Sequence, residues 1–404
     1  MGKIQPAIPD PIRVGRTFLA TRTARAIADG LLAATFASLL RSKGFDERTL
    51  GWLVTATLLG SATTLVGVAR RPDLLTPRRV LTLLSVLMVA TGVAFSTTSA
   101  LFILLPLAFI GPLNPTGGDV SAFLPAEQSL ITDATTDANR SDLFARYALG
   151  GALGAAIGSL IAGPVTALGK RIGFASTDGT GLAPLLYAAT GVVVALAYVR
   201  AGRHHTASKT VPARLQESKK IVRSLAAVFA LDAAGGGFVG TALVAAWLAR
   251  RFDFSLGEIG LALALSSTAS AASALFAPRL SRRFGLVETM VFTHLPANAL
   301  LIAAGFAPSA SIAVALLVAR ALLSQLDVPA RQTFVMSVVV PAERAAAAAF
   351  TNLPRSLAAA STPPLAGWLL HRSTFGWPLI LGGGLKALYD VVLFARFRRH
   401  STRA

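Results

Sequence analysis

Long apolar runs alternate with short polar links along the whole chain. Most of these runs are long enough for a helix to cross the roughly 30 Å of hydrocarbon in a bilayer, which takes about 20 residues. The pattern predicts twelve membrane-spanning helices, spans 1 to 12, at residues 17–40, 50–69, 80–97, 100–122, 143–168, 183–200, 224–248, 257–277, 287–305, 309–328, 345–370 and 376–395. We therefore predict an all-α polytopic membrane protein.

The longest stretch of low hydropathy, residues 201–222, has six apolar runs on either side and is the natural linker between two halves. The predicted divisions are a cytoplasmic N-terminal tail, a six-helix bundle, a basic cytoplasmic linker, a second six-helix bundle and a cytoplasmic tail. They cover, in that order, residues 1–16, 17–200, 201–222, 223–397 and 398–404.

Each half carries a polar link with acidic and basic residues after its fourth span. Arg140 and Arg344 are 204 positions apart, and so are Gly163 and Gly367, in a chain of 404 residues. We interpret this offset as a duplication, which predicts two pseudo-symmetric bundles. Opposite charges at the inner span ends could bridge when the inner side closes, or they could be ordinary loop charges in water. The predicted cytoplasmic gate consists of Asp119, Glu127, Arg140, Asp327, Arg331 and Arg344.

Composition and charge agree with a membrane location. Hydrophobic residues make up 53% of the chain and charged residues 14%, whereas soluble domains average about 25% charged residues. The net charge of +19 could indicate a nucleic-acid partner. However, Lys and Arg concentrate in the links predicted to be cytoplasmic, as the positive-inside rule requires. We predict a multi-pass protein of the cell inner membrane with both termini cytoplasmic, and no nucleic-acid binding.

Two acidic residues, Asp29 and Asp232, lie near the middle of spans 1 and 7, 203 positions apart. A mid-span Asp costs about 2.5–3.5 kcal/mol on insertion scales, so it usually faces a cavity or a partner. A low-dielectric cavity disfavours the charged carboxylate, which suits a group that exchanges protons. We predict that both belong to the substrate or proton pathway. The alternative is a fixed salt bridge, such as one from Asp29 to Arg25 or Arg355.

Basic and polar side chains also fall inside the spans. Arg320 and Arg355 lie near mid-depth of spans 10 and 11, where a guanidinium could attract an anionic substrate or balance a nearby Asp. His294 and Asn298, four residues apart in span 9, could line the cavity or form a buried hydrogen-bonded pair. The complete predicted pathway is Asp29, Asp232, His294, Asn298, Arg320 and Arg355.

The turns after spans 2 and 8 carry related basic motifs. Arg78 and Arg79 fit the end of a G-x-x-x-D-R-x-G-R-R pattern whose Asp-Arg pair is out of register here. Arg282, Arg283 and Gly285 stand at the counterpart, without its acidic position. Together with twelve spans in two halves, these motifs resemble the major facilitator superfamily. Drug antiporters of that family also have a pattern of spaced glycines that ends in Gly-Pro. It is resembled here, with a spacing one residue off, by Gly150, Gly154, Gly158, Gly163 and Pro164.

The resemblance implies a mechanism in which two bundles rock about a central site and open it to each side in turn. It also implies a monomer. We expect a secondary active transporter for a small organic solute, with protons as the coupling ion and efflux as the direction. The alternatives are uptake or exchange of an anionic metabolite, suggested by Arg320 and Arg355, and a membrane sensor that binds without transporting. The sequence contains no P-loop, HExxH or GxSxG motif, so we predict no enzyme, no cofactor and no metal site.

Overall fold

The computed structural model describes residues 11–70, 74–117, 122–134, 137–173, 179–200 and 215–398, and the regular elements in these residues are helical. The described helices of the first half are α1 (Pro11–Ser42), α2 (Glu47–Arg70), α3 (Pro77–Thr97), α4 (Leu101–Ile110), α5 (Phe123–Ala134), α6 (Asp137–Leu160), α7 (Ala162–Arg171) and α8 (Leu182–Arg200). Those of the second half are α9 (Lys219–Phe238), α10 (Thr241–Phe252), α11 (Leu256–Ala274), α12 (Ala277–Phe284), α13 (Leu286–Gly305), α14 (Ala310–Ala321), α15 (Asp327–Val338), a 3₁₀ helix (Pro341–Glu343), α16 (Arg344–Ser361), α17 (Pro363–Arg372) and α18 (Trp377–Phe397).

Two helices begin within segments that were predicted to be a tail and a linker. Helix α1 starts at Pro11, inside the predicted tail 1–16, and proline suits a first helical turn because that turn needs no N–H from it. Helix α9 starts at Lys219, inside the predicted linker 201–222. Residues 201–214 of that linker and 399–404 of the predicted C-terminal tail lie outside the described residues. The cytoplasmic placement of these segments stays a prediction.

Several spans consist of two helices rather than one. Eight helical segments in the described chain are each long and apolar enough to cross a membrane. Helices α4 and α14 are apolar but have only 10 and 12 residues, because spans 4 and 10 are interrupted. Within the described residues, predicted spans 5, 7 and 11 each contain two helices, which are α6 and α7, α9 and α10, and α16 and α17. The hydropathy pattern predicted each of these three spans as continuous. Helix α5 begins after the predicted end of span 4, and α15 lies almost wholly beyond the predicted end of span 10.

Span 4 is interrupted by its own prolines and glycines. Helix α4 ends at Ile110, and Gly111 is extended, with φ −79° and ψ 160°. Pro112 and Pro115 lack an N–H and disfavour the helical conformation of the residue before each of them. Gly117 has φ +69°, a backbone conformation that favours glycine. The segment 100–122 is therefore apolar enough for a span but not helical throughout.

The interruption in span 4 contacts a second interruption, in span 7. Helix α10 begins after Gly240, and its first backbone N–H groups have no acceptor within the helix. The N–H of Thr241 donates to the carbonyl oxygen of Thr116 at 3.0 Å. The N–H of Ala242 donates to that of Pro115 at 2.9 Å. Carbonyl groups of the first half thus accept hydrogen bonds from N–H groups of the second half that have no acceptor within their own helix.

The hydrophobic cores show where the halves meet and where they part. We call the side where α1 begins and α18 ends the terminal face, and the other side the opposite face. The largest described core cluster contains residues of both halves, among them Leu53 and Trp247. Two smaller clusters each stay within one half, and they include Phe18 near the start of α1 and Phe397 at the end of α18. The halves therefore share a core toward the opposite face and have separate cores toward the terminal face.

Glycines allow the closest helix contacts. A Cβ at Gly158 of α6 would overlap the carbonyl oxygen of Ile27 in α1. Across the halves, a Cβ at Gly367 of α17 would overlap the carbonyl oxygen of Glu47 at the start of α2. Small residues let membrane helices approach in this way, so Gly158, from the glycine pattern of span 5, has a packing role.

Candidate functional site

A cavity of about 1020 Å³ lies between the two halves. Small-molecule sites typically measure roughly 300–1000 Å³, so this cavity can hold a solute and water. Its lining runs from Thr116 and Thr241, where the halves join, to Leu124 and Leu275 near the terminal face. Among the described residues of the lining, five cations outnumber three carboxylates; these are Arg22, Arg320, Arg331, Arg355, Lys386, Asp29, Asp232 and Asp327.

Asp232 of α9 is the centre of an ion-pair cluster in the second half. Lys386 of α18 donates from Nζ to Asp232 Oδ1 at 2.6 Å. Arg331 of α15 donates from Nη1 to Asp232 Oδ2 at 2.9 Å, and its Nη2 lies 3.7 Å from Asp327 Oδ2. Asp232 is buried, and two cations compensate its charge. The geometry matches the salt-bridge alternative for Asp232, with Lys386 and Arg331 as the partners.

A second buried group extends this cluster, and one of its members, His294, lines the cavity. Nδ1 of His294 lies 2.9 Å from Asp390 Oδ1, and Asn298 donates from Nδ2 to Asp390 Oδ2 at 2.9 Å. Nε2 of His294 lies 3.8 Å from Asp232 Oδ1. All four side chains are buried. The structure therefore brings the predicted residues His294, Asn298 and Asp232 together, and it adds Asp390 as the acid that holds His294.

Arg320 of α14 and Arg355 of α16 differ from the other cations of the second half. Both line the cavity, and neither forms an ion pair with any of the described residues. Their Nε atoms are buried without a hydrogen-bond partner in the described structure. Both interact electrostatically with Asp232, which is already paired. Because an uncompensated guanidinium in a low-dielectric site is costly, this pair favours an anion in the cavity.

Asp29 of α1 also lines the cavity. Among the described residues it has no hydrogen bond or ion pair, and its strongest opposite charges are Arg25 and Arg22. Arg25 is directed instead to Glu127. The fixed salt bridge to Arg25 or Arg355, the alternative considered for Asp29, is therefore not formed in this conformation.

Glu127 of α5 is fully buried in the first half. Its carboxylate accepts hydrogen bonds from Arg25 and Thr21 of α1, from Tyr147 of α6 and from Tyr198 of α8. All four donors belong to the same half, and Glu127 is absent from the described cavity lining. A gate residue needs a partner across the halves, so this geometry favours a role for Glu127 inside the bundle.

Among the described residues, the other members of the predicted cytoplasmic gate do not form one group. Asp327 and Arg331 lie together in the cavity, and Arg344 is exposed at the start of α16. Asp119 lies outside the described residues, as does the side chain of Arg140. A gate formed by these six residues stays a prediction.

Charged side chains of the two halves also meet at the opposite face and close it. The sequence analysis did not predict these contacts. Arg250, at the end of α10, places Nη1 2.9 Å from Glu47 Oε2 at the start of α2. His371, at the end of α17, places Nδ1 3.4 Å from Asp46 Oδ2. Burial alone would raise the pKa of Asp46, but hydrogen bonds from Thr49 and the nearby His371 hold it below its ordinary value. This opposite-face lock, formed by Asp46, Glu47, Arg250 and His371, joins the two halves.

The repeat contains the signal that could have revealed the lock. Glu47 and Arg250 are 203 positions apart, the same offset as Asp29 and Asp232. A pseudo-twofold axis brings equivalent positions near it close together. Opposite charges at equivalent positions therefore indicate a contact between the halves.

Comparisons with known proteins agree with this architecture. The family model described as Major Facilitator Superfamily matches residues 18–225 and 225–404. The uncharacterized membrane protein YJR124C of Saccharomyces cerevisiae is 22% identical over 409 residues, covering 92% of this chain and 91% of that protein. A bacterial homolog to the human lysosomal transporter Spinster, in an inward-facing and occupied conformation, matches at TM-score 0.74 and 16% identity, covering 98% of this chain and 99% of that one. The nucleoside transporter NupG matches at TM-score 0.75 and 13% identity, covering 95% and 99%. At these identities the two solved structures show a shared fold.

Proposed function

Because the chain belongs to the Major Facilitator Superfamily, we propose that it is a secondary active transporter that moves a small organic anion by alternating access. The observation that carries this proposal is the pair Arg320 and Arg355, two cavity cations without an ion-pair partner among the described residues. Guanidinium binds carboxylate, sulfonate or phosphate in a fork. An anion would supply the compensating charge that the surrounding helices do not.

The cavity lies toward the terminal face, and the opposite-face lock closes the other side. If the termini are cytoplasmic, as the distribution of Lys and Arg predicts, this conformation is open to the cytoplasm. Transport then requires the lock to separate and the terminal ends of the bundles to close. Both walls of the cavity come from one chain, so we propose a monomer as the transporting unit.

Replacing the unpaired arginines tests the proposal. Arg355→Gln and Arg320→Gln should each weaken binding of an organic anion by about 10- to 100-fold, because a hydrogen bond to a charged group contributes about 1.5–3 kcal/mol. Binding is measured by calorimetry on the purified protein, with Arg282→Gln, an exposed residue of α12, as the matched control. Without ligand, Arg355→Gln should keep the native melting temperature. A marked loss of stability together with unchanged anion binding would identify Arg355 as a structural counter-charge instead.

Proton coupling is supported by a separate observation, the unpaired Asp29 in the cavity. A carboxyl that faces the cavity without a salt bridge can bind and release a proton in each transport cycle. Asp29→Asn should leave anion binding in place but abolish the response of flux to a pH gradient in proteoliposomes. A native response in the Asn variant would remove Asp29 from the coupling mechanism.

Efflux, the predicted direction, can be tested in the same vesicles. Vesicles preloaded with the anion are diluted into a more acidic medium. Antiport against protons accelerates release under this gradient, whereas symport, as expected for uptake, slows it. Binding of the anion with no movement of label in either case would identify a sensor rather than a transporter.

A further inference from the structure

The charged side chains of the cavity are unevenly distributed between its two walls. In the described lining the first half contributes only Arg22 and Asp29, and the remaining charges come from the second half. The unpaired cations, Arg320 and Arg355, are both on the second half. An anionic group of a solute would therefore bind on one wall.

The wall from the first half is mainly aliphatic, and part of it is exposed. Leu65 of α2 and Leu149 of α6 line the cavity with 36% and 40% of their surface exposed. Pro125 of α5 is exposed in the same wall. Apolar surface in contact with water costs roughly 25 cal/mol per Å². Where these side chains face the cavity, an aliphatic solute that covers them would recover that free energy.

The described lining can also be compared with what a ring-containing or a polyhydroxylated solute would need. It contains no Phe, Tyr or Trp, so a nucleobase or a phenyl ring would find none of these large aromatic side chains to stack on. Two hydroxyls of the second half already donate to nearby backbone carbonyls. Ser266 donates to the carbonyl of Ala262 at 2.9 Å, and Ser324 donates to that of Ala321 at 3.2 Å. These two hydroxyls therefore have no proton left to donate to a polyhydroxylated solute.

From this asymmetry we infer that the solute is an amphipathic aliphatic anion, with its acidic head on Arg320 and Arg355 and its saturated chain on the wall of Leu65 and Leu149. This inference rests on the proposed transport of an organic anion and names its class. The head group is a carboxylate, sulfonate or phosphate, and the body is a saturated chain without rings.

Four probes of similar size separate this inference from the proposed function. They are hexanesulfonate, benzenesulfonate, gluconate and hexylammonium, and binding to the full-length protein in lipid nanodiscs is measured by calorimetry. We expect hexanesulfonate to bind at least tenfold more tightly than gluconate or benzenesulfonate, and hexylammonium not to bind. Tighter binding of gluconate or benzenesulfonate would overturn the aliphatic inference and leave anion transport standing. Binding of hexylammonium alone, or of none of the four, would overturn both.

Leucine variants test whether the saturated chain of the solute contacts the wall formed by the first half. Leu65→Ala combined with Leu149→Ala should weaken hexanesulfonate about tenfold, the equivalent of roughly two methylenes no longer buried. Methanesulfonate, which has no chain to lose, should bind equally to the native protein and the double variant. The control is Leu83→Ala on α3, which is 53% exposed and absent from the described lining. Equal hexanesulfonate affinity in the native protein and the double variant would refute this placement.

Discussion

Removing the negative charge of Glu127 should destabilise the first half without acting on the cavity directly. The carboxylate is fully buried and holds Arg25, Thr21, Tyr147 and Tyr198. In Glu127→Gln the shape is retained, but the new amide N–H₂ is a donor that faces other donors. Arg25, which is 1% exposed, would keep its charge and lose its only carboxylate ion pair among the described residues.

The magnitude follows from the kind of interaction that is lost. Breaking a buried ion pair by changing one partner costs about 3–5 kcal/mol, because the other charge stays buried and uncompensated. For a unit of 150–250 residues, the size of one half of this chain, each kcal/mol corresponds to roughly 2–4 °C in melting temperature. Glu127→Gln should therefore lower the melting temperature by about 10 °C.

The assay is thermal unfolding of the purified protein, followed by intrinsic fluorescence. Asp142→Asn is the matched control, because Asp142 and Arg146 form an exposed pair on α6 of the same half, with 67% and 68% of their side chains exposed. Such a surface pair contributes at most about 1 kcal/mol. The double variant Arg25→Leu, Glu127→Leu should be more stable than the sum of its single changes predicts, because it leaves neither charge alone.

The gate hypothesis for Glu127 makes a different prediction. If Glu127 bridges the halves only in another conformation, Glu127→Gln should change the transport rate while the melting temperature stays within about 2 °C of the native value. That result would refute the reasoning from burial and return Glu127 to the gate.

Two further outcomes test the helix contacts and the closed face. Gly158→Ala should lower the melting temperature by about 5 °C because its Cβ would force α6 away from α1. The control Gly384→Ala, which has open space at its Cβ, should leave the melting temperature unchanged. Equal effects of the two variants would contradict the packing argument. Glu47→Gln removes the charge opposite Arg250 and should raise labelling of Thr241→Cys from the opposite face about tenfold, for a loss of about 1.5 kcal/mol. A membrane-impermeant maleimide measures this cleanly because the chain has no native cysteine, and an unchanged labelling rate would show that the lock does not hold that face closed.

The fold was predictable from the sequence because hydropathy acts over whole spans. Apolar runs determine how often the chain crosses the bilayer, and they predicted the helical fold. The interruption after Ile110 was less visible, because Pro112, Pro115 and Gly117 act locally within a segment that is still apolar enough to span. Its stability depends on carbonyl contacts with Thr241 in the other half, which hydropathy does not encode.

The sequence predicted which residues line the cavity, but it predicted their ion-pair partners only in part. The cost of an ionised group in a membrane pointed to Asp29, Asp232, Arg320 and Arg355, and all four line the cavity. Which of them are paired depends on helix packing. Lys386 and Asp390 are one helical turn apart on α18, yet the first contacts Asp232 and the second contacts His294. No sequence spacing distinguishes these outcomes.

The repeat explains why the two halves can do different work. Asp29 and Asp232 are at equivalent positions, yet Asp232 has two cation partners and Asp29 has none among the described residues. The difference arises because Arg25, one helical turn from Asp29, is drawn to the buried Glu127. At these equivalent positions each half therefore contributes one carboxyl to the cavity, and in the described residues only that of Asp232 is held by ion pairs. Arg320 and Arg355, which have no ion-pair partner among the described residues, lie on the second half. Under the proposed mechanism, proton and anion would therefore bind on opposite walls.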